Sequence, residues 1–278
     1  MGVIMNKFLL AAVQLNSQQD KEENLKKMEK YIIEAAEKGA KVIAFPEGSN
    51  YIGDDSRQVA EKIPGGKTFK MISELAKKYS VWIHAGSIYE DRDGEIPYNC
   101  NFLVGPDGEL KTKYHKLHPF DVDVLNGPSI RESNKVHPGD EIVTFDTKEF
   151  GHFGLSICYD MRFPELYRLM TLKGANILFV PANFTMNTGK DHWEPILRTR
   201  AIENGCYVVA PAQIGQKPTV AAYGKTIIID PWGNIIAKSS DREGVILTEI
   251  DLDYVEEIRS KIGTLKNRRV DIYKVEEM

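Results

Sequence analysis

Two hydrophobic spacings alternate along the chain. Short runs rich in Val, Ile, Leu and Phe recur at Phe8–Val13, Val42–Pro46, Val81–Ser87, Phe102–Val104, Leu110–Tyr114, Phe153–Ile157, Ile177–Val180, Tyr207–Ala210, Thr226–Ile229 and Val245–Ile250, each too brief for a helix and each predicting a strand. Between them lie segments whose apolar residues stand three or four apart. Leu25, Met28, Ile32, Ala35 and Ala36 mark one helix that stops at Gly39, and Phe69, Ile72, Leu75, Ala76 and Tyr79 mark a second. A further helix is expected to begin at Asp191, because Glu194 three residues on makes a capping-box pattern before Pro195, and to close at Gly205.

The pattern repeats itself. Lys38–Pro46 reads KGAKVIAFP and Lys173–Pro181 reads KGANILFVP; downstream, Tyr98–Gly108 ends in a strand and a GPDG turn, and Tyr223–Gly233 in a strand and a DPWG turn. Self-similarity at this long period indicates two paired structural units. Strands alternating with helices in each copy predict an α/β fold: a four-layer α-β-β-α sandwich with internal pseudo-twofold duplication.

Composition removes several classes. The 278 residues are 42% hydrophobic and 27% charged, an ordinary globular balance, and no run approaches the roughly 18 apolar residues of a membrane span. The formal charge of −4, with Lys266–Arg269 the one basic cluster, argues against nucleic acid as a partner. Cys100, Cys158 and Cys206 form no framework spacing, which points to a reducing compartment. Phe8–Val13 after Lys7 leads straight into Gln14 and Asn16 without a cleavage pattern, so it reads as a strand and not as a signal segment, and MGVIMN lacks the Ser or Thr of a myristoylation signal. The expectation is a cytoplasmic protein with no membrane partner.

Three reactive side chains stand directly after expected strands: Glu47, Lys116 and Cys158. Functional groups in such sheets collect at the carboxyl ends of strands. In ICYDMRFPEL the strand must turn sharply before a helix near Pro164, so the Cys158 thiol projects from an elbow beside backbone N–H groups, as a nucleophile requires. A buried core cysteine is the bland alternative, and polar Tyr159, Asp160 and Arg162 directly after it disfavour that. A carboxylate beside an ammonium can supply the proton acceptor and the oxyanion partner that a thiol needs. Glu47 and Lys116 fit, although singly each also fits a cap and a solvated surface lysine.

These residues carry a resemblance. AFPEG around Glu47, KYHKLH around Lys116 and ICYDMRFPEL around Cys158, with HWEPILRTRAIENGCYVVA and YGKTIIIDPWGNI, resemble the signature blocks of the nitrilase superfamily of carbon–nitrogen hydrolases across Lys7 to Tyr273. HKLHPFDVDV and CYDMRFPEL are most similar to the amidase branch that holds ω-amidases and deaminated-glutathione amidases. The resemblance implies the same sandwich as a single domain over 1–278, with a core at 7–262 and residues 263–278 at an interface of a homodimer or larger homo-oligomer. It implies a small-molecule amide as substrate and neither cofactor nor metal. Cys158 would be the nucleophile, Glu47 the base, Lys116 and the Tyr159 N–H the oxyanion donors, Glu132 a second orienting carboxylate, and Arg162 a substrate-carboxylate ligand that could otherwise pair with Asp160 or Glu165. Tyr51, Asn183, Phe184 and Thr185 are candidate pocket liners. GSNYIGDD after Glu47 and Asn183–Met186 depart from typical ω-amidases, which leaves the substrate open.

Rival readings remain. His115 and His118 form an HxxH, with His137, His152 and His192 beyond, but no glutamate lies between the pair as a metallohydrolase helix needs. A degenerate scaffold subunit is countered by the intact Glu47, Lys116 and Cys158. N-carbamoyl amino acid hydrolysis would use the same triad, and nitrile hydrolysis fits the CYDMRFPE context less well.

Overall fold

Strand β1 (Lys7–Gln14) sends Leu10 and Ala12 to one side and Ala11 and Val13 to the other, and both sides are buried. Burial on two faces explains its continuous apolar run and demands a covering layer on each side. The computed structural model describes residues 6–123, 129–218 and 220–278. After β1 come α1 (Lys21–Glu37), β2 (Val42–Ala44), α2 (Ser56–Val59), α3 (Lys67–Tyr79), β3 (Trp82–Glu90), β4 (Tyr98–Val104) and β5 (Leu110–His115). Strands β6 (Asp121–Asp123) and β7 (Ser129–Arg131) pair with each other. The second half builds β8 (Thr144–Asp146), β9 (His152–Leu155), α4 (Pro164–Leu172), β10 (Ile177–Phe179), α5 (Met186–Asn204), β11 (Tyr207–Ala210), the pair β12 (Ile214–Gln216) and β13 (Ala221–Tyr223), β14 (Ile227–Ile229) and β15 (Ile235–Lys238). Finally β16 (Gly244–Asp251) returns to the first sheet and leads into α6 (Leu252–Ile262).

The two main sheets run β16-β1-β2-β3-β4-β5 and β15-β14-β11-β10-β9-β8. Each has three parallel strands, β1-β2-β3 and β9-β10-β11, then two antiparallel ones, with a further antiparallel strand on the opposite flank. The duplicated sequence is therefore a duplicated topology. Leu10, Val42 and Leu103 of the first sheet share a core with Phe153, Ile177 and Phe179 of the second. On the outer face of the first sheet Ile43, Ile83 and Phe102 pack with Leu25, Met28, Ile72 and Leu75 of α1 and α3. Leu166, Met170, Trp193 and Leu197 of α4 and α5 complete the fourth layer. Aromatic contacts cross the central seam: His84 stacks on Phe179 at 4.5 Å, and Trp82 meets Phe145 at 5.9 Å.

One helix boundary differs from expectation. Helix α5 starts at Met186, five residues before the capping-box pattern at Asp191, and Pro195 lies inside it. Proline costs an interior helix roughly 3 kcal/mol, but tertiary packing fixes this turn. Trp193 is fully buried and its Nε1 donates to the Lys225 carbonyl at 2.8 Å, while the Gly189 N–H already bonds the Thr185 carbonyl at 2.8 Å. Packing overrides the local start signal.

Candidate active site

Glu47 follows β2 in a loop laid directly over β3. Gly86 has φ +71°, and a Cβ there would meet the Pro46 carbonyl oxygen at 2.0 Å. Only glycine lets the two backbones approach so closely. The Ser87 N–H donates to that same carbonyl at 3.3 Å, and Gln213 Nε2 donates to the carbonyls of Glu47 at 3.1 Å and Gly48 at 3.3 Å. The Glu47 loop is thus held by the β3 main chain and the Gln213 side chain.

Cys158 occupies the elbow that its sequence suggests. Strand β9 ends at Leu155, the backbone turns through a short 3₁₀ helix over Cys158–Arg162, and Cys158 itself has φ +50°, left-handed and strained for a non-glycine residue. Its N–H donates to the Pro181 carbonyl at 2.9 Å. Asp160, wholly buried, holds the turn: Oδ2 accepts from the Ile157 N–H at 2.8 Å and from Tyr114 Oη at 2.7 Å, and Oδ1 accepts from the His118 N–H at 3.2 Å and lies 2.7 Å from His118 Nδ1. Tyr114 and His118 flank Lys116. One carboxylate thereby fixes the Cys158 turn against the strand end that carries Lys116.

Lys116, 2% exposed, lies between two carboxylates. Its Nζ donates to Glu47 Oε1 at 2.9 Å and to Glu132 Oε1 and Oε2 at 3.0 and 2.7 Å. Glu132 also accepts from the Phe120 N–H at 2.6 Å, and Asn99 Nδ2 bridges the pair, 2.9 Å from Glu47 Oε1 and 3.3 Å from Glu132 Oε1. Burial opposes the charge on Lys116, but Glu132 and Glu47 outweigh it and hold the amine protonated, well above the usual lysine range. Burial likewise pushes the Glu47 carboxyl up, and the Lys116 charge with hydrogen bonds from Lys116, Cys158 and the Asn183 N–H brings it below its ordinary value. Burial and the Glu47 charge raise the Cys158 thiol well above its usual range. Both causes favour the protonated thiol, which lies against the Glu47 carboxylate. A thiol that attacks a carbonyl must give up its proton, and a carboxylate so placed is able to take it.

These groups open on a cavity of about 160 Å³ lined by Glu47, Lys116, Glu132, Cys158 and Tyr159 on its reacting side. Tyr51, Asn183, Phe184 and Thr185 line it too. Arg162 is not among the lining residues. Its guanidinium sits 5.3 Å from the Phe184 ring centre and 5.9 Å from that of Tyr159, with His192 Nδ1 at 3.3 Å, and it pairs with neither Asp160 nor Glu165 among the described residues. The residue expected to grip a substrate carboxylate thus lies beside two rings of the cavity wall.

The chain matches the carbon-nitrogen hydrolase family over residues 9–260. It belongs to that family. Omega-amidase NIT2 of Xenopus tropicalis is 42% identical over 277 residues, covering 98% of this chain and 99% of that protein. Deaminated glutathione amidase of Synechocystis is 39% identical over 269 residues, covering 95% and 99%. The crystal structure of the C. elegans NitFhit protein superposes with a TM-score of 0.90 at 36% identity, covering 97% of this chain and 66% of that longer chain.

Some parts of this hydrolase's site escaped the sequence reading. Asn99, Tyr89, Phe120 and Ile88 line the cavity without having been singled out. Asparagine is depleted in strands, so the two in YNCNFLV were the available signal for Asn99. The HxxH histidines do not converge. His115 Nε2 lies 2.6 Å from Glu90 Oε2 while its ring stacks on Tyr98, and His118 turns to Asp160 and stacks on Phe163. Glu90, Cys100 and His115 bring candidate metal-ligand atoms within 4.8 Å of one another, but Lys113 Nζ already sits on Glu90 at 2.5 Å. No helix among the described residues is long and apolar enough to cross a membrane.

Proposed function

We propose that this carbon–nitrogen hydrolase releases ammonia from the terminal amide of a small carboxylate-bearing molecule through a thioester on Cys158. The observation that carries the reading is the meeting of a buried thiol, a carboxylate and an ammonium at one small cavity. The Cys158 sulfur attacks the amide carbon as its proton passes to Glu47. The resulting oxyanion faces the Lys116 ammonium and the Tyr159 N–H, one of the donors that a first helical turn leaves without an internal partner. Collapse breaks the carbon–nitrogen bond, and the proton on Glu47 goes to the departing nitrogen. Glu47 then takes a proton from water as it attacks the thioester, which frees the acid and restores the thiol. Glu132 keeps Lys116 charged and aimed.

Charge orients the substrate. Two carboxylates around one ammonium leave an excess negative charge at the reacting end, so a carboxylate there is repelled and the neutral amide enters first. The far end then lies among Tyr51, Thr185 and Thr188. The names of the two relatives, an omega-amidase and a deaminated glutathione amidase, favour the same substrate class. The three cysteines are free thiols, in keeping with a cytoplasmic enzyme, and the exposed Val270, Ile272 and Tyr273 of the tail suit an interface in a homo-oligomer.

The test is ammonia release from α-ketoglutaramate, deaminated glutathione, N-carbamoyl-β-alanine and propionamide, with intact-mass detection of a Cys158 adduct. The reading expects the first two to rank highest and an acyl-sized mass gain. Ammonia without any adduct, or a preference for the carbamoyl compound, would refute it.

A further inference from the structure

Lys217 begins the turn between β12 and β13, its N–H donating to the Val220 carbonyl at 2.9 Å, yet the residue is only 2% exposed. Its Nζ donates to three oxygens: Asn16 Oδ1 at 2.8 Å, the Ser17 carbonyl at 3.0 Å and Gln213 Oε1 at 3.0 Å. None of them is charged. The charged groups that face the amine, Glu243 and Lys27, pair with each other at 3.1 Å. Burial pulls the Lys217 pKa from the ordinary 10.5 to about 7, so the placement works against the charge that a surface lysine keeps freely. Of its three contacts, the one to Gln213 leads to the site.

Gln213 has an acceptor end and a donor end, and each meets its complement. Oε1 accepts from Lys217 and from the Ser17 N–H at 2.9 Å, while Nε2 donates to the carbonyls of Glu47 at 3.1 Å and Gly48 at 3.3 Å and to Ser17 Oγ at 2.9 Å. Ser17 Oγ in turn donates to the Ser49 carbonyl at 2.9 Å. Three successive carbonyls of the Glu47 loop are thereby gripped. An amide turned over would set its oxygen against two carbonyl oxygens and its NH₂ against two donors, so Lys217 and the Ser17 N–H fix which way Gln213 faces. In either protonation state Nζ has a proton for Oε1. We propose that Lys217 is a positioning residue for Glu47: by holding Gln213 Oε1 it keeps Nε2 on the Glu47 and Gly48 carbonyls, and so sets the carboxylate where it meets the thiol. The proposal rests on the amidase reading above, in which Glu47 is the base, and deepens it by tracing the placement of that base to a lysine that is not among the cavity-lining residues. The rival role is a pin for the turn whose Val220 lines the cavity.

The experiment measures kcat and KM for ammonia release from α-ketoglutaramate, and the rate at which iodoacetamide alkylates Cys158, in the wild type, Lys217→Met, Gln213→Met and the double variant. Methionine keeps an unbranched stem and removes the polar atoms. The expected result is a fall of about tenfold or more in kcat for each single variant, as a displaced base implies, with KM within about threefold of wild type and alkylation slowed alongside. The double variant should fall no more than about threefold below the lower single one, because both substitutions break the same chain of contacts. Losses that multiply would overturn the proposal, since Lys217 would then act by a route that leaves Gln213 out. A raised KM with kcat kept would overturn it too, by making Lys217 the pin for Val220. A wild-type kcat in Gln213→Met overturns it whether or not Lys217→Met folds, and Lys217→Gln takes the place of a Lys217→Met chain that does not. A wild type that releases no ammonia from any amide would instead strike the amidase reading, while the alkylation rates still decide whether Lys217 governs the hold of Glu47 on the thiol.

Discussion

The two halves of this molecule share their strand order, yet the matching strand ends carry different chemistry. Aligning KGAKVIAFP on KGANILFVP puts Ala182 where Glu47 stands and Asn183 where Gly48 stands. Since Leu10 pairs with Val42 and Phe153 with Ile177, the same superposition puts Leu15 in the place of Cys158. The first half thus brings Glu47 and Lys116 to the cavity from the ends of β2 and β5, and the second brings Cys158 and Asn183 from the ends of β9 and β10. Leu15 is fully buried and packs under α1. Strand interiors are constrained by packing on two faces, whereas strand ends are free to diverge, so the two halves share a scaffold while each holds part of one site.

The sharpest way to break that contrast is to exchange the roles of equivalent positions. Cys158→Ala should abolish turnover while leaving the melting temperature within a degree or two, because alanine keeps the Cβ and leaves the elbow's backbone as it is. Leu15→Ala should do the reverse, costing about 2–5 kcal/mol of stability as a buried leucine truncated to alanine does, with appreciable turnover kept at low temperature. Ammonia assay and denaturant titration of both variants decide it; a Cys158→Ala protein that still turns over would end the nucleophile assignment. Next in size is Gly86→Ala. The added methyl would strike the Pro46 carbonyl at 2.0 Å, so the Glu47 loop must shift, and a displacement of roughly 1 Å costs on the order of 10²-fold in rate. A kcat within threefold of wild type would show that the loop is not registered by β3. Lys116→Ala should lose roughly 10²–10³ in rate as a missing oxyanion donor does, and a tenfold or smaller loss would move Lys116 to a purely structural part.

A smaller contrast lies in the central seam. His84 is wholly buried, stacks on Phe179, and takes a hydrogen bond from Asn101 Nδ2 at 2.8 Å. Burial pulls its pKa from the ordinary 6.5 to about 3. The folded state keeps the ring neutral where the unfolded chain binds a proton, so stability is complete above about pH 6.5 and declines as pH falls toward 3. The matching position of the second half is Val209, which has no proton to take up. His84→Phe should therefore flatten the melting temperature between pH 6.5 and 4 relative to wild type. Parallel curves for the two proteins would assign the acid sensitivity elsewhere.

How much of this was legible follows from the same physics. The alternating runs and the repeated KGA blocks disclosed the sandwich, because a strand buried on both faces leaves an unbroken apolar signature. Glu47, Lys116 and Cys158 were visible as reactive types beside strand ends, Glu132 only through the resemblance to a known family, and the structure brings all four to one cavity. Asn99 was hidden inside a strand, where only pairing with β5 shows what it bridges. The Asp160 clamp was hidden because its partners, Tyr114 and His118, lie more than forty positions away in sequence. Pro195 misled because the packing of Trp193 decides that turn, and the direction of the long Arg162 side chain depends on rings that come from elsewhere in the chain.

Arg162 gives the smallest and most discriminating test. Four residues beyond the nucleophile, a guanidinium could in principle grip the far carboxylate of a substrate, since its planar fork binds carboxylates bidentately where lysine cannot. The structure instead lays it against the rings of Tyr159 and Phe184 and beside His192, outside the cavity lining. Stacking of this kind is worth about 0.5–2 kcal/mol, and a lysine keeps the charge but loses the flat contact. Arg162→Lys should then loosen the wall rings and reduce kcat/KM by about three- to tenfold, by similar factors for α-ketoglutaramate and for neutral propionamide. If the loss falls on the carboxylate-bearing amide alone, the side chain swings past Phe184 into the cavity when substrate binds, and the second half contributes the substrate's anchor as well as the nucleophile. Equal losses keep the anchor with Tyr51, Thr185 and Thr188, the hydroxyl groups that the two halves place along the cavity.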